Sequence, residues 1–180
     1  MKTKILLISL VFLTFSFNAM AQNEQPQANP NDVATIDAII KSIYEVISGD
    51  AGQKRDWDRF RSLFHKDAHL IPTGKNPQTN VVGARFLTPE DYIKRTEGVF
   101  AKEGFYEKEK AKRTEVYGNI AHVFSTYESF HKTDEKTPFM RGINSIQLLN
   151  DGKRWWIISI YWQAETPENP LPKKYLKSKN

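Results

Sequence analysis

Residues 154–163 (RWWIISIYWQ) constrain the fold more than any other stretch of this 180-residue chain. They are rich in β-branched and aromatic side chains, the types that suit a pleated strand. At a period of two, Trp156, Ile158, Ile160 and Trp162 share one face that is apolar throughout and must be core. The other face, with Trp155, Ile157, Ser159, Tyr161 and Gln163, is mixed. Residues 119–131 repeat the situation, with Val123 and Tyr127 on one face and Ile120, Phe124 and Phe130 on the other. A sheet with two partly apolar faces needs cover on both sides. Helices can cover one; a second subunit or the chain's own tail must cover the other, and a homodimer is the simpler expectation.

Period-two patterning predicts four long strands over 105–117, 119–131, 139–149 and 154–163. They join at Gly118-Asn119, around Lys132–Pro138, and at Asn150-Asp151-Gly152, where the Asp-Gly pair is a hairpin signal. Upstream the period is helical. Val33, Ile36, Ile40, Ile43, Tyr44 and Ile47 predict one helix capped by Asp32 and stopped by Gly49. Trp57, Phe60, Leu63 and Phe64 predict a second, opened near Asp56, and Asp67 to Ile71 a first strand ended by Pro72, Gly74 and Pro77. Thr88-Pro89-Glu90-Asp91 starts a third helix, with a Thr cap, Pro at the first helical position and acids facing the positive end of the dipole; Gly104 ends it. This order is α+β: a long curved antiparallel sheet wrapped over three helices, a cone with an interior pocket.

The first 21 residues read as a leader. Lys2 and Lys4 precede a mainly apolar run from Ile5 to Phe17, and Ala19-Met20-Ala21 supplies small residues for cleavage before Gln22. The run is too short, and too broken by Ser9, Thr14 and Ser16, for the ~20 apolar residues of a span. The expectation is an exported protein, periplasmic or secreted, without stable membrane insertion. Residues 22–31 then form a polar spacer, 32–165 the folded domain and 166–180 a basic tail. Removing the leader's two lysines from the 26 basic residues leaves 24 against 21 acidic ones, a net of +3 and weak support for nucleic-acid binding. With no cysteine, disulfides, thiolate chemistry and Cys-based metal sites are excluded.

Three stretches, Asp56-Trp57 with Leu63 to Ala68, Gly118 to Val123, and Arg141 to Leu148 followed by Asp151 to Trp156, resemble in order and spacing the nuclear transport factor 2-like superfamily, and within it the SnoaL-like proteins. The resemblance covers roughly 32–165. It implies a cone-shaped α+β barrel, commonly dimeric, whose cavity takes small apolar or amphipathic molecules, and it implies no particular reaction. Ketosteroid-isomerase-like members use a carboxylate base on the first strand, a Tyr from the first helix and a protonated acid on the closing hairpin. Here the base position falls on Pro72, the Tyr position near Ser42 with Tyr44 two residues away, and the acid position at Asn144. Steroid-isomerase chemistry is therefore rejected.

No other catalytic dyad is recognisable, no cofactor is expected, and whether the chain is an enzyme stays open. His69 and His122 are the candidate bases for an alternative reading as a lyase, isomerase or hydrolase. His65 and His69 stand four apart but across a helix-to-strand change, so no metal site is assigned. The alternating charges of Glu107 to Arg113 read as a solvated strand, its lysines opposing edge pairing, with a polyanion-binding face as the lesser alternative. The aromatic load carries the leading expectation: a small-molecule cavity lined by Trp57, Ser125, Tyr127, Arg141, Asn144, Gln147 and Trp162. A third reading has the convex sheet and basic tail contacting a partner protein.

Overall fold

The helical period upstream of residue 50 produces two pieces rather than one. The computed structural model describes residues 25–177, so the leader lies outside the described residues. A single turn, α1 (Pro30–Val33), is capped by Asn29, and α2 (Ile36–Ile47) is capped by Thr35, whose Oγ1 accepts from the Ala38 N–H at 3.0 Å. Asp32, expected as the cap, lies inside α1 instead. α3 (Trp57–Leu63) opens on Asp56 as expected, and α4 (Pro89–Phe100) opens on Thr88 with a full capping box to Asp91. α4 stops at Phe100, before Gly104.

The strands are β1 (Phe64–Lys75), β2 (Val82–Ala84), β3 (Tyr106–Tyr117), β4 (Ile120–Phe130), β5 (Met140–Asn150) and β6 (Trp155–Ala164). They form one sheet in the order β2-β1-β6-β5-β4-β3, antiparallel except for the β1–β6 pair. β1 runs through Pro72 instead of ending there. The ring's missing N–H falls on the side facing Arg85–Leu87, where pairing is irregular and the Pro72 carbonyl still accepts from Arg85. Gly118 and Gly152 adopt φ of +55° and +89° at the β3–β4 and β5–β6 turns, which only glycine takes readily.

Besides an irregular stretch between Phe64 and His69 of β1, a bulge in β6 and one in β3 set which side chains face inward. Between Gln147 and Leu148 of β5, β6 carries an extra residue: Ser159 pairs with Gln147 and Ile157 with Leu148. Strict alternation therefore fails at Ile158. Trp155 and Ile157 face the core at one end, Ile160 and Trp162 at the other, and Trp156 turns outward to stack under Arg154. Likewise Lys110 is extra in β3, since Glu109 pairs with Tyr127 and Ala111 with Thr126. Glu107 and Glu109 thus share the inner face with Lys112, contrary to the expected division of lysines from acids.

The core lies between α2 and the sheet, where Ile39, Ile43 and Ile47 meet Phe60, Phe64, Val123, Ile146 and Ile157. One charged contact ties the helices together. The buried Asp32 carboxylate accepts from Arg59 Nε at 2.8 Å and Nη2 at 2.9 Å, and from Ser42 Oγ at 3.0 Å. Its hydrogen bonds from Arg59 hold its pKa below the ordinary value, so this stabilisation is present at neutral pH and fades as pH falls through that lowered pKa. Across the outer sheet face, the short turn Lys173–Tyr175 lies on β3 and β4. Arg113 donates to the Lys174 carbonyl, Thr126 to the Tyr175 carbonyl, and the Tyr175 ring packs edge-on to Phe124 at 5.0 Å. The tail covers that part of the second face.

Arg59→Gln leaves Asp32 buried without its cation. The expected loss is about 2–4 kcal/mol at pH 7, checked by urea unfolding; a loss below ~0.5 kcal/mol would show the contact to be a solvated surface pair.

Candidate functional site

Inside the cone lies a cavity of about 310 Å³. α2 contributes Ile43, Tyr44 and Ile47; α4 contributes Tyr92, Thr96, Val99 and Phe100. Phe105 comes from just before β3 and Glu107 from its start, Tyr127 from β4, Asn144 and Ile146 from β5, and Ile160 and Trp162 from β6. The exposed Val99 and Phe139, with Glu103, mark the mouth. Rings form much of the wall. Phe100 stacks on Phe105 at 5.2 Å, Phe105 meets Phe139 at 6.3 Å, and Phe139 stacks on His131 at 4.1 Å.

One polar cluster interrupts this wall. Asn144 Nδ2 donates to Tyr44 Oη at 3.1 Å and to Glu107 Oε1 at 3.2 Å; Ser129 Oγ donates to Glu107 Oε2 at 3.2 Å. Ser125 Oγ donates to Glu109 at 2.7 Å, so its single proton is used. The 2.8 Å contact between Ser125 and Tyr44 is then filled by the Tyr44 proton. The Tyr127 hydroxyl is buried without a partner, above Gly142, where a Cβ would stand 2.7 Å from it. Glu107 is partly buried and lines both this cavity and the neighbouring groove of Asp37, Lys41 and Lys112, and desolvation of its carboxyl pushes its pKa up to about 7. Burial, with the Glu107 charge second, raises the Tyr44, Tyr92 and Tyr127 hydroxyls as well.

Of the expected ligand contacts, Tyr127, Asn144 and Trp162 line the cavity. Ser125 lies behind Tyr44 as a fully buried hydrogen-bond link. Trp57 packs behind Phe60 and Phe100. Arg141 and Gln147 belong to the outward set of β5, because the inward set is Met140, Gly142, Asn144, Ile146 and Leu148. Arg141 pairs there with Glu165. Both candidate histidines also face out: His69 is exposed beside Phe86, and His122 shares a 3.0 Å hydrogen bond with Ser145. Ser42, near which the ketosteroid-isomerase-like Tyr position was expected, bonds to Asp32, and it is Tyr44 that enters the cavity. Among the described residues no group of three or more His, Asp or Glu side chains could hold a metal ion, and no helix is long and apolar enough to cross a membrane.

Sequence reasoning missed Glu107, Tyr92 and His131. Glu107 sits in an alternating run whose exposed and inward faces look equally charged, so no local signal separated it from its neighbours.

No family model and no curated protein matches the chain. Solved structures do match it. A nuclear transport factor 2-like protein of unknown function from Silicibacter pomeroyi aligns at 15% identity over 73% of this chain and 94% of its own, with a TM-score of 0.51. A nuclear transport factor 2-like protein from Cytophaga hutchinsonii aligns at 16% identity over 72% and 97%, with a TM-score of 0.52. A candidate scytalone dehydratase from Novosphingobium aromaticivorans aligns at 13% identity over 74% and 83%, with a TM-score of 0.53. At such low identities these likenesses establish architecture, and the chain carries the nuclear transport factor 2-like fold, an α+β cone.

Proposed function

We propose that the protein is exported after loss of residues 1–21 and binds a small amphipathic molecule in the cone. The ligand's apolar body lies against the rings and its polar group meets Glu107. One observation carries this reading: a cavity of about 310 Å³ with an aromatic wall and a single polar cluster. A homodimer over the part of the outer face that the tail leaves open belongs to the same proposal; the exposed Tyr161 supports it.

A second reading, catalysis, rests on Glu107 rather than on the outward histidines. A carboxyl tuned to about 7 in an enclosed cavity is poised to exchange a proton with a bound molecule near neutral pH. The solved neighbour that is a candidate dehydratase lends support to that alternative.

Native mass spectrometry of the protein purified from its own host tests the first reading. The expected species is a dimer whose chain begins at Gln22 and which carries a discrete small-molecule adduct. A chain that retains Met1 would overturn export by this leader. An adduct-free protein that also fails to take up amphipathic probes would overturn the binding reading.

Glu107 also makes a pH prediction. Its folded pKa lies above the ordinary 4.5, so the folded state binds more protons between about 4.5 and 7. Stability should therefore fall as pH rises through that window, by on the order of 2 kcal/mol. In Glu107→Gln the fall should vanish, leaving the variant more stable than the parent at pH 8. Parallel urea-unfolding curves for parent and variant across pH 4–8 would refute an enclosed Glu107.

A further inference from the structure

Resting on the binding reading, we propose that the cavity selects an organic cation: a small molecule with an apolar body and a protonated amine, its ammonium seated at the Glu107 carboxylate among the surrounding aromatic side chains. The argument starts from the proton count. Asn144 spends both amide protons inside the wall, on Tyr44 and Glu107. Tyr44 spends its proton on Ser125, Ser125 on Glu109, and Ser129 on Glu107. When ionised, Glu107 thus has two neutral donors and no counter-ion. No lysine or arginine is among the described residues lining the cavity; Lys41, Lys108 and Lys112 stand in the groove on the other side of Glu107, where Lys112 pairs with Asp37 and Glu109.

The nearest buried cation cannot supply that charge. Arg55 lies behind Phe100, 4.9 Å from its ring centroid, and its guanidinium is consumed by the carbonyls of Ile47, Gly49, Asp50 and Gln53. The unpartnered Tyr127 hydroxyl leaves one donor for an acceptor atom on the ligand, while the aromatic wall favours a cation. Ring faces carry negative potential and attract cations, most strongly where water is excluded. Tyr44, Tyr92 and Tyr127 surround the carboxyl closely enough for its charge to raise each of their hydroxyl pKa values. An anionic ligand would meet repulsion, and a neutral one would leave the carboxylate uncompensated. The groups at the mouth, Glu103 and His131, do not reverse this: Glu103 is acidic, and His131 donates its Nδ1 proton to the Gly104 carbonyl at 3.2 Å.

Three matched probes decide the matter: 4-phenylbutylamine, 4-phenylbutanol and 4-phenylbutyrate, titrated calorimetrically into the full chain as its host processes it. The amine should bind at least tenfold more tightly than the alcohol, with the carboxylate weakest. In Glu107→Gln, a neutral and near-isosteric replacement, the amine's advantage should shrink to threefold or less while alcohol binding persists. An alcohol that binds as well as the amine, a carboxylate that binds best, or an amine preference that survives in Glu107→Gln would overturn the cation assignment and leave the cavity reading standing. Failure of all three probes would overturn both.

Discussion

Two single-residue bulges decide what this fold can do. A strand has only two faces, so one extra residue exchanges inside for outside along everything that follows. At Ile158 the exchange lets Trp155 and Ile157 fill the core beneath α2 while Ile160 and Trp162 wall the cavity further along. At Lys110 it keeps Glu107 and Glu109 inside yet sends Ala111 outward, where its small side chain lies buried on the face that carries the C-terminal turn. The cavity, its carboxyl and the covered outer face all depend on those two offsets.

The protein handles the carboxylates of Asp32 and Glu107 in opposite ways. Asp32 receives a bidentate arginine and a serine, and its charge joins three helices. Glu107 receives an amide and a hydroxyl and no cation, so its charge works against the fold. A glutamine or leucine would suit that position better on stability grounds alone. Sites that keep such a group against the interest of stability are where function is sought first.

Much of the architecture was legible in the sequence because it rests on local chemistry. The Thr88 and Asp56 caps, the Asp151-Gly152 turn and the spans of β3 to β6 follow from residue types a few positions apart. Asn144 and Tyr127 were likewise legible as inward groups. What escaped was register. Period-two reading placed Trp156 inside, and neither bulge has a glycine or proline to announce it; Arg141 and Gln147 were grouped with Asn144 although each stands an odd number of residues from it on one strand, so they fall on the other face. The break at Thr35 hid behind continuous helical periodicity, since a threonine there reads equally well as mid-helix or cap. The residue that matters most, Glu107, was masked by a run in which either face looked solvated.

The parallel β1–β6 pair carries a consequence for how the chain becomes a cone. Phe64 pairs with Ile157 and Leu70 with Ile160, so this seam of the sheet joins segments about ninety residues apart. Until the last strand exists, β1 has only the short β2 hairpin beside it, and the helices have half a floor to rest on. Loop closure of that length must precede any reward from the seam, which makes assembly slow and leaves a hydrophobic ribbon uncovered meanwhile. The cone cannot close piecemeal from its N-terminus; it closes once, when residues through Ala164 are all available to pair.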